Sequence, residues 1–161
     1  VVVVREDNHV TDSTKYGPVV VGVDGSEVSQ KATAYAFREA QARGAALIAV
    51  HTWMDMQVQA SLAGLSAAQS EWADIEKEQS ELLTENLKEP REECPEVEVK
   101  KLITRDRPVS ALTEAAEGAQ LLVVGSHGRG GFKGMLLGST SRALLQSAPC
   151  PMMVVRPDEE S

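Results

Sequence analysis

Residues 125 to 141, with the sequence GSHGRGGFKGMLLGSTS, combine residue types that bind phosphate. Six of the twelve glycines of the chain lie here: Gly125, Gly128, Gly130, Gly131, Gly134 and Gly138. A backbone without Cβ atoms either turns at positive φ or lets its N–H groups approach an anion closely. Gly138, Ser139 and Thr140 then open a helical pattern, whose free N–H groups and positive dipole end favour an anion. The stretch therefore predicts a phosphate-bearing ligand.

Three other side chains are candidates for the same site. Asp24 ends an apolar run and is expected either to contact the ligand or to cap the turn before Ser26. His127 is either an acid–base group or a side chain that hydrogen-bonds locally. Arg129, like Lys133, is either a phosphate neighbour or simply solvated.

The composition excludes several other functions. The 161-residue chain carries 16 Lys and Arg against 24 Asp and Glu, a net charge of −8, which argues against nucleic acid or an anionic membrane as partner. No apolar run reaches the length of a membrane span and no signal peptide is present, so a cytoplasmic location is predicted. Cys94 and Cys150 match no metal motif and are expected to be buried thiols. We assign no catalytic residue and no metal site.

The elements that must position these residues alternate between strand and helix. Apolar runs at 19–23, 47–50, 97–103, 121–124 and 152–155 predict five strands, and helical patterns separate them. The long helix is expected to bury Trp72 and its leucines and to end near Pro90. This alternation predicts an α/β fold with a doubly wound parallel sheet. If the strand order is 3-2-1-4-5, the first and fourth strands are neighbours, and Asp24 faces the Gly125 loop across a crevice.

The front of the chain is similar to its own tail. Val1–Val4 followed by Arg5 resembles Met152–Val155 followed by Arg156. We interpret residues 1–17 as an extension or linker, residues 18–157 as the domain and residues 158–161 as an acidic tail. The first strand is then the closing strand of a preceding tandem copy, an extra strand that pairs across an oligomer interface, or a coincidental apolar run.

From Val19 to Arg156 the chain resembles the universal stress protein family. The resemblance is carried by VVVGVDGSEVS, VVGSHGRGGFKGMLLGSTS and APCPMMVVRP. The spacing GxxG, nine residues, then G[ST] is typical of the ATP-binding members. The resemblance implies an adenine nucleotide alpha hydrolase-like fold. It also implies a set of ligand contacts: Gly125, Gly128, Gly138 and Ser139 at phosphates or ribose, Asp24 at the ribose or adenine end, and the backbone around His51 and Thr52 beside adenine.

The same resemblance implies a function. The chain is expected to bind ATP or another adenine nucleotide, with or without Mg²⁺ or Mn²⁺, as a sensor or regulator in the stress response. The alternatives are a slow ATPase or phosphotransferase and a scaffold without nucleotide. Relatives commonly pair through the closing strand, as homodimers or within a tandem chain. One departure is Arg105-Asp106-Arg107-Pro108, where many relatives carry a glycine before the helix.

Overall fold

The computed structural model describes residues 2–3, 17–53, 69–127 and 137–158, with side chains in the long helix described from residue 73 onward. Six strands are present: β1 (Val2–Val3), β2 (Val19–Gly22), β3 (Leu47–Thr52), β4 (Val99–Thr104), β5 (Leu121–Gly125) and β6 (Met152–Val155). Four helices connect them: α1 (Glu27–Arg43), α2 (Gln69–Glu93), α3 (Pro108–Ala115) and α4 (Ser139–Ser147).

All six strands form one sheet in the order β1-β6-β5-β2-β3-β4. The five strands from β2 to β6 are parallel and reproduce the predicted 3-2-1-4-5 order. The expected count of five was wrong by one, because Val2 and Val3 pair antiparallel with Met153 and Met152. Since β2 lies directly beside β5, the switch point falls where the sequence predicts it.

Both faces of the sheet are covered by helices. Val19 and Val21 pack with α1 and α2, whereas Val20 packs with α3 and α4. Successive side chains of a strand point to opposite faces, so a strand covered on both faces needs an uninterrupted apolar run. This burial explains why β2 and β5 are continuous rather than alternating in the sequence.

The ends of the helices follow local rules, with one exception. Ser26 caps α1 by accepting a 3.2 Å hydrogen bond from the Ser29 N–H, and Gly44 ends that helix in the left-handed region at φ 62°. The helix α2 runs past Pro90 to Glu93, so the predicted end was early. The Cys94 N–H donates to the Pro90 carbonyl at 3.0 Å, which shows that helical hydrogen bonding resumes after the proline.

No helix among the described residues is both long enough and apolar enough to cross a membrane. The Trp72 side chain, predicted to be in the core, lies outside the described side chains.

Candidate functional site

Because β2, β3, β4 and β5 run parallel, their carboxyl ends lie along one rim of the sheet. Asp24 lies just beyond β2, Thr52 ends β3 and Gly125 ends β5. The structure therefore brings these three predicted residues to the same edge, although they are far apart in the sequence.

Asp24 is held in a network at the start of α1. Its Oδ1 accepts the Ser26 N–H at 2.8 Å, and its own N–H donates to the Ser29 Oγ at 3.0 Å. Ser29 is buried, and its hydroxyl therefore fixes the turn from inside the fold. The carboxylate thus caps this turn, and its predicted contact with a ligand stays a prediction.

His51 links three elements through its two ring nitrogens. Nδ1 lies 2.7 Å from the Val23 carbonyl, and Nε2 lies 2.7 Å from the Gln79 Oε1 on α2. A carbonyl only accepts, so Nδ1 carries the proton, and in the neutral ring a half-turn of the Gln79 amide places its NH₂ group against Nε2. The side chain of His51 therefore ties β3 to the end of β2 and to α2.

The sequence reasoning missed Gln79, which is buried. Its position carries a signal, since Ile75, Gln79, Leu83 and Leu87 follow one another at four-residue spacing along one face of α2. A single amide inside an apolar row needs a buried partner, and the His51 ring supplies it.

A small cavity of about 160 Å³ opens beside this histidine. Its lining comprises Val23, Asp24, Gly25, His51, Gln79, Leu82, Leu83 and Asn86. A cavity of about 150 Å³ holds one benzene ring, so this space fits a single ring and not a whole nucleotide. Thr52 follows His51 in the strand and so faces the opposite side of the sheet.

Gly125 is required by close packing. A Cβ built at this position would lie 2.8 Å from the Val28 Cγ1 on α1. Its φ is not positive, so the expected left-handed turn is absent here and close approach is the reason for glycine. The next residue, Ser126, is fully buried and donates its N–H to the Val155 carbonyl at 2.8 Å.

His127 hydrogen-bonds locally, with Nδ1 2.9 Å from the Ser126 Oγ. This contact agrees with the plainer of its two interpretations. Gly128 and Arg129, together with Lys133, lie outside the described residues.

The first turn of α4 lies at the end of the glycine stretch. Gly138 is the N-cap at φ −72° and ψ 167°, without any side-chain cap hydrogen bond. Its N–H donates to the Ser126 carbonyl at 2.6 Å, and the Ser141 hydroxyl donates to the Gly125 carbonyl at 2.7 Å. These bonds hold the N-terminus of α4 against the end of β5. Ser139 is exposed and Thr140 is half-buried.

The loop between β4 and α3 contains the predicted departure from the family pattern. Arg107 is the N-cap of α3, and Pro108 is the first residue of that helix. The guanidinium of Arg105 lies over the ring of Trp53. The charged residues at this loop therefore replace a glycine without breaking the start of the helix.

Both cysteines are free and buried, as expected. Burial raises the pKa of the Cys150 thiol to about 11, because a thiolate is poorly solvated there. Among residues 2–3, 17–53, 69–127 and 137–158, no three His, Cys, Asp or Glu side chains come together as a metal-binding group.

The family model for the universal stress protein family matches residues 15–156. The chain belongs to this family. A universal stress protein of Mycobacterium tuberculosis is 45% identical over 156 residues, which are 97% of this chain and 51% of that protein. The chain spans about half the length of the curated relatives it matches.

Solved structures share the fold. A universal stress protein in complex with cAMP is 27% identical, with a TM-score of 0.60 over 87% of this chain and 96% of that chain. A universal stress protein from Archaeoglobus fulgidus in complex with dAMP is 20% identical, with a TM-score of 0.57 over 87% of this chain and 98% of that chain.

Proposed function

We propose that this domain binds an adenine nucleotide at the β2–β5 switch point and acts as a nucleotide-dependent sensor or regulator in the stress response. The observation that carries the proposal is the N-terminus of α4, which has no side-chain cap and is held against the end of β5, the strand next to β2. Support comes from the family itself and from its member solved in complex with cAMP.

The residues present fit the phosphates of such a ligand. The N–H groups in the first turn of α4 and the hydroxyls of Ser139 and Thr140 are donors suited to phosphate oxygens. Gly138 adds no side chain in front of the first turn of α4, and Gly125 ends the strand that this turn contacts. Gly128, His127 and Arg129 complete the proposed set. With ATP, Mg²⁺ or Mn²⁺ would be carried chiefly by the phosphates and water.

The regulatory role follows from linkage. A nucleotide that binds one conformation of the site more tightly than the others shifts the population toward that conformation. The surface around the site then differs between free and bound protein, and a partner can distinguish the two.

Gly138→Asp provides a direct test. The backbone angles of Gly138 suit any residue, and Asp is a favourable N-cap, so this variant is expected to fold at least as well as the natural chain. Its carboxylate would occupy the donors of α4 and repel phosphate. We expect calorimetry to show at least tenfold weaker binding of AMP and ATP·Mg²⁺.

Gly138→Asn is the matched control, because it is similar in size and capping ability but has no charge. Mass spectrometry of nucleotide released from purified natural protein gives an independent readout. Equal nucleotide affinity for the Asp variant and the natural chain would reject the proposed site. A natural chain that neither retains nor binds nucleotide would reject the function.

We also propose that the domain pairs with a second domain of its kind through β6, either within a longer tandem chain whose preceding copy supplies β1, or as a homodimer in which β1 has left the edge of β6. The similarity of Val1–Val4 to Met152–Val155 and the twofold length of the relatives support this organisation. In the tandem form, Val1–Val4 would be the closing strand of the preceding copy.

A further inference from the structure

Arg105 and Trp53 form a cation–π pair at the rim of the sheet. The register pairs Thr52 with Thr104, so Trp53 and Arg105 are the next residues beyond the ends of β3 and β4. The guanidinium carbon of Arg105 lies 5.0 Å from the centroid of the Trp53 ring. Trp53 is buried in the core, whereas Arg105 is an exposed residue, so the pair joins the core to the surface of the rim.

The backbone under this pair is held in place. The Trp53 N–H donates to the Thr104 carbonyl at 3.3 Å, and the Asp106 N–H donates to the Thr104 hydroxyl at 3.2 Å. Pro108 fixes the first turn of α3 just beyond. The guanidinium is therefore presented by a constrained loop, which lowers the entropy that a contact with a ligand would cost.

The position of the pair determines which part of a nucleotide it can contact. Neighbouring strands are about 4.8 Å apart, so β4 lies about 14 Å from β5, three strands away along the rim. The phosphate donors of α4 lie at the β5 end. A nucleotide with its phosphates there can reach along the rim with its base toward β3 and β4, where His51, Trp53 and Arg105 lie.

We propose that Arg105 is a specificity-determining residue that stacks its outward face on the nucleobase, in a layer of Trp53, guanidinium and base. The inference rests on the proposed nucleotide site and adds the recognition of the base. A planar guanidinium stacks on aromatic surfaces on both of its faces, and a lysine ammonium cannot. Arg105 thus favours a large aromatic base over the sugar phosphate alone.

Calorimetry with AMP, adenosine and inorganic pyrophosphate tests this assignment. For Arg105→Ala we expect the dissociation constants of AMP and adenosine to rise about three- to thirtyfold, the range of a cation–π contact. Arg105→Lys should raise them by less, because the ammonium keeps the charge and loses only the planar stacking surface. The dissociation constant of pyrophosphate should change less than about twofold. In a Trp72→Phe background, the fluorescence of Trp53 should change when AMP binds.

Arg107→Ala is the matched control, since it removes the same charge from the same exposed loop and leaves the stack intact. It should bind all three ligands as the natural chain does. Wild-type affinity of Arg105→Lys for AMP, or equal losses for pyrophosphate and AMP, would overturn the stacking role and leave the nucleotide site standing. A natural chain that binds no AMP would reject both.

Discussion

Gly125 lies where the end of β5 passes against the first turn of α1. Val28 is β-branched and stiff in its helix, so a methyl group 2.8 Å from its Cγ1 cannot be relieved by a rotamer change. We expect Gly125→Ala to lower the free energy of unfolding by about 1–3 kcal/mol, the usual cost of overpacking. Urea denaturation measures this change.

The double variant Gly125→Ala with Val28→Ala is the control for that explanation. Removing the two Val28 methyl groups opens the space that the new Cβ needs. The double variant should therefore lose less free energy of unfolding than the sum of the losses of the two single variants. Additive losses in the double-mutant cycle would contradict the packing origin of Gly125.

Cys150 gives the fold a dependence on alkaline pH. Its pKa rises by burial from 9.0 to about 11 in the folded state, so the folded protein retains the thiol proton where the unfolded chain has lost it. The stabilising contribution is complete below pH 9 and is lost as the pH rises toward 11. Two pKa units correspond to roughly 2–3 kcal/mol.

Urea denaturation at pH 8 and at pH 11 measures this contribution as the difference between the natural chain and Cys150→Ala. Relative to Cys150→Ala, the free energy of unfolding of the natural chain should fall by roughly 2–3 kcal/mol between pH 8 and pH 11. A difference that is constant with pH would show that the Cys150 thiol does not titrate on unfolding in this range.

The site residues show how far sequence reasoning reaches. Asp24 and Gly125 were found because each directly follows an apolar strand, and strand ends are local signals. Gln79 and Ser29 were missed because their roles depend on partners far away in sequence or hidden behind the turn. A buried polar side chain is identified by what it contacts, which a single sequence does not give.

At the scale of elements, the contact between His51 and Gln79 joins α2 to β3. Gln79→Leu would leave the Nε2 of His51 without its partner in a part-buried position. We expect the free energy of unfolding to fall by about 1–3 kcal/mol, the cost of an unsatisfied polar group.

Gln30→Leu is the matched control, because Gln30 makes an exposed 3.4 Å contact with Asn86 from the facing helix α1. Losing an exposed contact of that length should change the free energy of unfolding by less than about 0.5 kcal/mol. Equal losses for the two variants would argue against a special role of the buried contact.

Element types were predictable and some element ends were not. Continuous apolar runs identified β2 and β5, because a strand that is buried on both faces needs an apolar side chain at every position. The end of α2 was predicted near Pro90, which is too early, because a proline is usually taken as the end of a helix. Near the last turn a proline removes only one N–H donor, and its carbonyl still accepts a hydrogen bond from the Cys94 N–H. Packing decides such ends, and packing is not a local property.

At the scale of the whole molecule, β1 covers the outer edge of β6. Val2 and Val3 satisfy backbone groups of Met153 and Met152 that an open edge would present to another chain. We expect a variant without residues 1–6 to form more dimer as its concentration rises, by pairing through the exposed β6. Size-exclusion chromatography with light scattering measures this against the full chain.

Adding Met153→Lys to the shortened variant should return it to the monomer, since a charged side chain on an edge strand discourages pairing. The same oligomeric state for the full and shortened chains at all concentrations would contradict the covering role of β1. The sequence pointed to this contact only as a similarity between two ends of the chain, and the register came from the structure.

If two such domains pair through β6 as proposed, the antiparallel direction of β1 against β6 indicates how their two proposed nucleotide sites would be oriented. A second parallel sheet joined across such a pairing has all its strands reversed, so its carboxyl rim lies on the opposite side of the combined sheet. The two crevices would open in opposite directions. Each ligand would exchange with solvent independently, and communication between the sites would have to pass through the shared strands.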